Sequence, residues 1–95
     1  MISIDELFGK KVIGINGYNI GEVKGVMADL NQWRITHLMV KLDGTAAEEL
    51  GFKKRFTSST VCMPVSLVAA VGDVVTISQA HTDLAYNTDI YECKT

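Results

Sequence analysis

The sequence predicts a mostly β domain: a small, strongly bent antiparallel β-barrel with one or two short helical segments. Three observations carry that prediction. Arg34 to Leu42 alternates, with Thr36, Leu38, Val40 and Leu42 on one face and Ile35, His37, Met39 and Lys41 on the other. Asn16-Gly17 follows a short apolar run, a strong hairpin signal because both central residues of a type I′ turn need φ > 0. The alternation between Asn19 and Asp29 changes phase near Gly25. Glu22 and Lys24 make the even positions polar, whereas Val26, Ala28 and Leu30 make them apolar. A one-residue slip sends every later side chain to the opposite face, and glycine inside a strand marks a bulge or sharp bend. Gly25 is therefore predicted to be a barrel corner, where one long strand serves two parts of a curved sheet.

The elements follow in order. Val12 to Ile15 is a first strand, about Asn19 to Asp29 a second, and Arg34 to Leu42 a third, after a turn at Asn31-Gln32. Thr45-Ala-Ala-Glu48 has the spacing of a capping box, Ala46 to Leu50 favour helix, and Gly51 can end it. Phe52-Lys53-Lys54-Arg55-Phe56 and Thr57-Ser58-Ser59-Thr60 read as a polar loop. Val61 to Val65 returns to strand, Ser66 is placed to cap a single helical turn through Ala70, ended by Gly72, and Asp73 to Ser78 is a strand rich in Val and Ile. In the tail, Ile90 to Cys93 is read either as a closing strand or as a segment packed on the barrel.

Composition narrows the function. The chain has 95 residues, room for one domain over 1–95 but not for a second core. It is 47% hydrophobic with only 21% charged residues, which excludes intrinsic disorder. Its 9 Lys+Arg against 11 Asp+Glu give no global attraction to nucleic acid or anionic lipid. The most apolar stretch, Val61 to Val75, is broken by Pro64, Ser66, Gly72 and Asp73, so no direct membrane insertion is expected. The opening MISIDELFGKK does not read as a signal peptide. Two cysteines, Cys62 and Cys93, make no disulfide framework and are read as reduced thiols of a cytoplasmic protein, Cys62 buried and Cys93 the more exposed.

Catalytic chemistry finds little support. His37 and His81 are isolated from any cluster of carboxylates or thiols, so no metal site is expected. The carboxylates sit at turns and strand ends, and Gly14 to Gly17 and Gly21 to Gly25 are spaced for hairpins rather than for a phosphate loop. No catalytic, cofactor-binding or metal residue is named, and no cofactor is expected. An enzyme or redox protein using Cys62 or Cys93 would need an activated thiolate, for which no motif is present. The basic run Lys53-Lys54-Arg55, between Phe52 and Phe56, could meet an acidic protein or RNA phosphates, but reads first as a solvated loop. Trp33 is either a partner hot spot or a cap on the end of the barrel core, the second being slightly favoured.

Gly9 to Leu42 closely resembles the opening of PRC-barrel domains: an apolar strand, a tight Gly turn, Ile20-Gly21-Glu22-Val23, a turn over Asp29 to Trp33, and the strand Arg34 to Val40. Met63 to Ser78 is similar to the second half of the short archaeal members. The resemblance covers about residues 9–79, leaving 45–60 as a variable helix and basic loop and 80–95 as an unassigned tail. It implies a small bent antiparallel barrel that is not an enzyme. The stand-alone archaeal members it is similar to are of the CdpB type, cell-division adaptors linked to SepF, the membrane anchor of the FtsZ ring. A homodimer docking a protein partner, SepF or a paralogous PRC-barrel protein, is therefore expected, in the cytoplasm and recruited to the division site. An RNA- or ribosome-associated module like that in RimM is the alternative, against which a pI of about 5.5 argues. The candidate partner or dimer contacts are Trp33, Ile35, His37, Met39, Phe52, Lys53, Lys54, Arg55, Phe56, Tyr86, Ile90 and Tyr91.

Overall fold

A computed structural model describes residues 3–49, 60–84 and 86–93 of the chain. After a 3-10 turn over Ile4–Glu6, capped by the Ser3 hydroxyl accepting from the Asp5 N–H, come β1 (Lys11–Ile13), β2 (Asn19–Asp29), β3 (Arg34–Leu42) and α1 (Gly44–Glu49). They are followed by β4 (Thr60–Pro64), a 3-10 turn over Val65–Leu67, β5 (Val68–Val71), β6 (Val74–Ile77), α2 (His81–Leu84) and β7 (Tyr91–Glu92). The seven strands form one sheet in the order β5-β6-β1-β2-β3-β4-β7.

The mostly β expectation holds, but the barrel is not closed by hydrogen bonds. Among the described residues the end strands β5 and β7 each pair with a single neighbour. They span only 4 and 2 residues, so their ladders run out before the sheet can meet itself. Ile35 and Leu38 of β3 and Val68 and Val71 of β5 line one apolar groove. Nor is the sheet wholly antiparallel, because β1 and β6 run parallel, Lys11 opposite Val74 and Ile13 opposite Thr76. The Lys10 ammonium, 2.6 Å from the Gly72 carbonyl oxygen, ties the start of β1 to the β5–β6 turn.

The phase change at Gly25 is a bulge. Val23 lies opposite Val40, but Gly25 lies opposite Met39, leaving Lys24 as the extra residue. Val23 therefore faces the core before the bulge and Val26 packs against it afterwards, while Ile20 reaches the core through a separate shift in the β1–β2 ladder, where Val12 lies opposite Gly21 but Ile13 opposite Asn19. Ala28 and Leu30 continue the apolar phase in sequence yet are exposed, because the hairpin has by then run past the core. A second irregularity falls in β3, where Met27 opposes His37 but Ala28 opposes Ile35, so Thr36 is the extra residue. That slip turns Ile35 away from the face of His37 and Met39, on which strict alternation had placed it.

The core is a single cluster on the concave side of the sheet. Val12, Ile20, Val23, Leu38, Val40, Val61, Met63, Val75 and Ile77 come from the strands, Ala47 and Leu84 from the two helices, and Ile90 from the tail. Replacing Ile77, which is fully buried, by alanine is expected to cost about 2–5 kcal/mol, read as a lowered urea midpoint at unchanged slope.

Four local expectations are corrected. In the β1–β2 hairpin only Gly17 has positive φ, at 86°, so the turn is not type I′. The Gly17 N–H donates to the Gly14 carbonyl and the Gly14 N–H to Tyr18, a three-residue loop with glycine in the left-handed position. Asp43, not Thr45, caps α1: its Oδ1 accepts from the Thr45 N–H at 3.0 Å and its carbonyl from Ala47. Residues 68–71 extend as β5 rather than continuing a helical turn from Ser66, because pairing with β6 captures their backbone. Cys62 and Cys93 are not free thiols but a disulfide, and both are buried. The expected helix end at Leu50 and Gly51 and the polar loop up to Ser59 lie outside the described residues.

Candidate interaction surface

The cross-strand register assembles a patch on the convex face, opposite the core. Met27 of β2 lies beside His37 of β3, and Gly25 beside Met39. Met39 lies beside Cys62 of β4, and Cys62 beside Tyr91 of β7. Leu38 and Val40 point into the core, so their neighbours His37 and Met39 point out. Gly25 leaves space for the methionine: a Cβ there would stand 3.2 Å from Met39 Sδ.

The rings of His37 and Tyr91 meet edge to face, with centroids 5.3 Å apart and planes at 71°. His37 Nδ1 is 2.9 Å from Thr36 Oγ1, and that hydroxyl donates to the Met27 carbonyl at 3.4 Å, so the Thr36 bulge also fixes the ring. Met27 and Tyr91 are exposed, at 38% and 44%, while His37 and Met39 are half-buried. Two thioethers, a phenol and an imidazole from β2, β3 and β7 thus form an adaptable surface of the composition that protein interfaces favour. Among the described residues no three His, Cys, Asp or Glu side chains gather as a metal site would need.

Trp33 ends the loop between β2 and β3. Asp29 Oδ1 accepts from the N–H groups of Asn31 and Gln32, at 2.9 and 3.4 Å, and winds this loop tightly. The winding drives Trp33 to φ = 52°, a conformation costly for a bulky L-residue. Its side chain is 84% exposed and does not cap the core. Trp33→Gly is therefore expected to raise stability by about 1 kcal/mol, measured by denaturant titration, since strain is relieved and almost no burial is lost. A loss of stability would show that the indole has a packing role.

The named contacts therefore separate. His37, Met39 and Tyr91 come together, Ile35 enters the apolar groove with Leu38, and Trp33 stands at the hairpin tip beside exposed Leu30. Tyr86 is exposed in the tail, but Ile90 is buried in the core and offers no outward contact. Phe52, Lys53, Lys54, Arg55 and Phe56 lie outside the described residues. Sequence reasoning missed Met27, whose neighbour depends on two bulges between it and a regular ladder. It also missed the Cys62–Cys93 pair, for which two cysteines without a spacing rule give no signal.

Among the described residues, no helix is long and apolar enough to cross a membrane. No curated protein matches the chain. The family model for the PRC-barrel domain matches residues 1–84, which takes in every element up to the end of α2 and leaves out β7. With that match covering most of its length, the chain belongs to the PRC-barrel domain family.

Proposed function

We propose that this protein is a non-enzymatic interaction module that homodimerises through the convex face of β2, β3, β4 and β7 and presents further surface to a protein partner. The observation that carries the reading is the Met- and aromatic-rich patch of Met27, His37, Met39 and Tyr91. A solvated outer face of an antiparallel sheet is ordinarily polar; here a row with Glu22 opposite Lys41 is followed by apolar Met39 and Met27. A two-fold axis would set each patch on its copy, methionines and rings filling each other's gaps. The strained Trp33 is the natural anchor for a different partner at the hairpin tip.

At the finer level, the module acts as an adaptor in archaeal cell division, in the cytoplasm, with SepF or a paralogous PRC-barrel protein as partner. The likeness to short stand-alone archaeal members supports that level.

The test is light scattering at micromolar concentration. The wild-type chain is expected at twice the monomer mass, and Met39→Glu, which sets a charge in the centre of the patch, at the monomer mass with its far-ultraviolet circular dichroism unchanged. A monomeric wild type would overturn the dimer. Salt-dependent RNA binding lost on replacing Lys53, Lys54 and Arg55 by alanine would move the reading to the RNA-associated alternative.

A further inference from the structure

We infer that the Cys62–Cys93 disulfide is a redox latch, which holds residues 86–93 as a strap across β4 and releases them on reduction while the rest of the sheet stays folded. Three observations converge on it. The strap lies beyond the residues that match the family, so the sheet's own pattern ends at α2 without it. The strap's strand is short: β7 is two residues long and pairs with β4 through Val61 opposite Glu92 and Cys62 opposite Tyr91. Around it the Tyr91 ring meets His37, the Cys93 N–H reaches the Thr60 carbonyl at 3.3 Å, the Asn87 amide donates to Gln79 Oε1 at 3.2 Å, and Ile90 enters the core cluster. The bond joins that strap to the middle of β4, a strand already paired with β3 along His37 to Lys41. Opening the bond therefore removes the tether of the strap but takes no pairing from β4's inner side.

The chemistry is thiol–disulfide exchange with a dithiol. Of the two sulfurs, Cys93 belongs to the more exposed residue, at 8% against 1% for Cys62, and sits on the short edge segment that opens most easily. A thiolate of the dithiol attacks Cys93 Sγ, forming a mixed disulfide, and Cys62 Sγ departs with the electron pair of the broken bond. The second thiol of the reductant then displaces Cys93, so the dithiol ends as a disulfide, two electrons have passed to the protein, and both cysteine sulfurs take up a proton. Release carries Tyr91 away from His37 and bares the outer main-chain edge of β4, a row of donors and acceptors that another extended segment can pair with.

The latch stands whether or not the chain dimerises, and its test reads backbone protection rather than mass. Native-state amide hydrogen exchange is followed on the full chain, air-oxidised and after dithiothreitol, with the Cys62→Ala/Cys93→Ala double variant as a reductant-free counterpart. Exchange at 91–93 is expected to become on the order of 100-fold faster than exchange in β1, β2 and β6 on reduction and in the variant, because those strands still exchange only through global opening. Unchanged exchange at 91–93 in the reduced protein would overturn the latch, because the strap would then hold without its bond. Equal exchange rates at 91–93 and across β1, β2 and β6 in both samples would overturn it too, making the disulfide a staple of the whole fold. So would an air-oxidised chain in which both thiols still titrate.

Discussion

Gly21→Ala is expected to destabilise the fold by about 3 kcal/mol or more. Gly21 lies in β2 between two paired strands, opposite Val12 of β1 and Leu42 of β3. A Cβ built on it would overlap the Lys41 carbonyl oxygen and come within 2.9 Å of Lys41 C and 3.0 Å of Leu42 Cα. All three atoms are backbone, so no rotamer change makes room and the two strands have to separate. Gly25→Ala is the matched control. There the nearest atom is the sulfur of the flexible Met39 side chain, which can swing aside, and a cost of about 1 kcal/mol or less is expected. Urea titrations of both variants decide the matter: equal losses would show that the bulge, not the close approach at Gly21, carries the constraint.

Removing the disulfide with Cys62→Ala/Cys93→Ala is expected to lower stability by roughly 3–4 kcal/mol. The two residues are 31 positions apart, and the chain-entropy argument for a loop of that length gives roughly 3.7 kcal/mol at 25 °C. For a chain of this size that corresponds to a fall of about 15–30 °C in Tm, read by circular dichroism. Alanine leaves no polar atom in the buried site, so the loss reflects the cross-link and not an orphaned hydroxyl. A shift under about 5 °C would show that the unfolded chain already holds these segments together.

What could be read from sequence was whatever depends on neighbours along the chain. The alternation in Arg34 to Leu42 gave β3 its core face through Leu38, Val40 and Leu42, and the phase change around Gly25 located a real bulge. Features that depend on distant residues were hidden. β1 contains nothing that specifies a parallel partner, since Val12 would fit an antiparallel neighbour equally well. Val68 to Val71 is as compatible with a helical turn as with a strand until β6 supplies a ladder. Asp43 took the helix cap from Thr45 because where β3 ends fixes which side chain meets the first free N–H groups. In the surface patch, His37 and Met39 share a face by simple alternation. Their meeting with Met27 and Tyr91 depends on registers that bulges and a disulfide set, and no local pattern encodes those.

The parallel pairing of β1 with β6 also has a consequence for how the protein is made. Lys11 waits for Val74, so during vectorial synthesis the first strand leaves the ribosome with one side unfilled. The meander of β1 to β4 can form as it emerges, because each of its strands pairs with the next. The β5–β6 hairpin then docks on β1, closing the longest loop in the sheet, before α2 and β7 add their core residues. Nascent chains arrested before Ile77 clears the exit tunnel should therefore stay protease-sensitive, and those in which Ile90 has also emerged should be resistant.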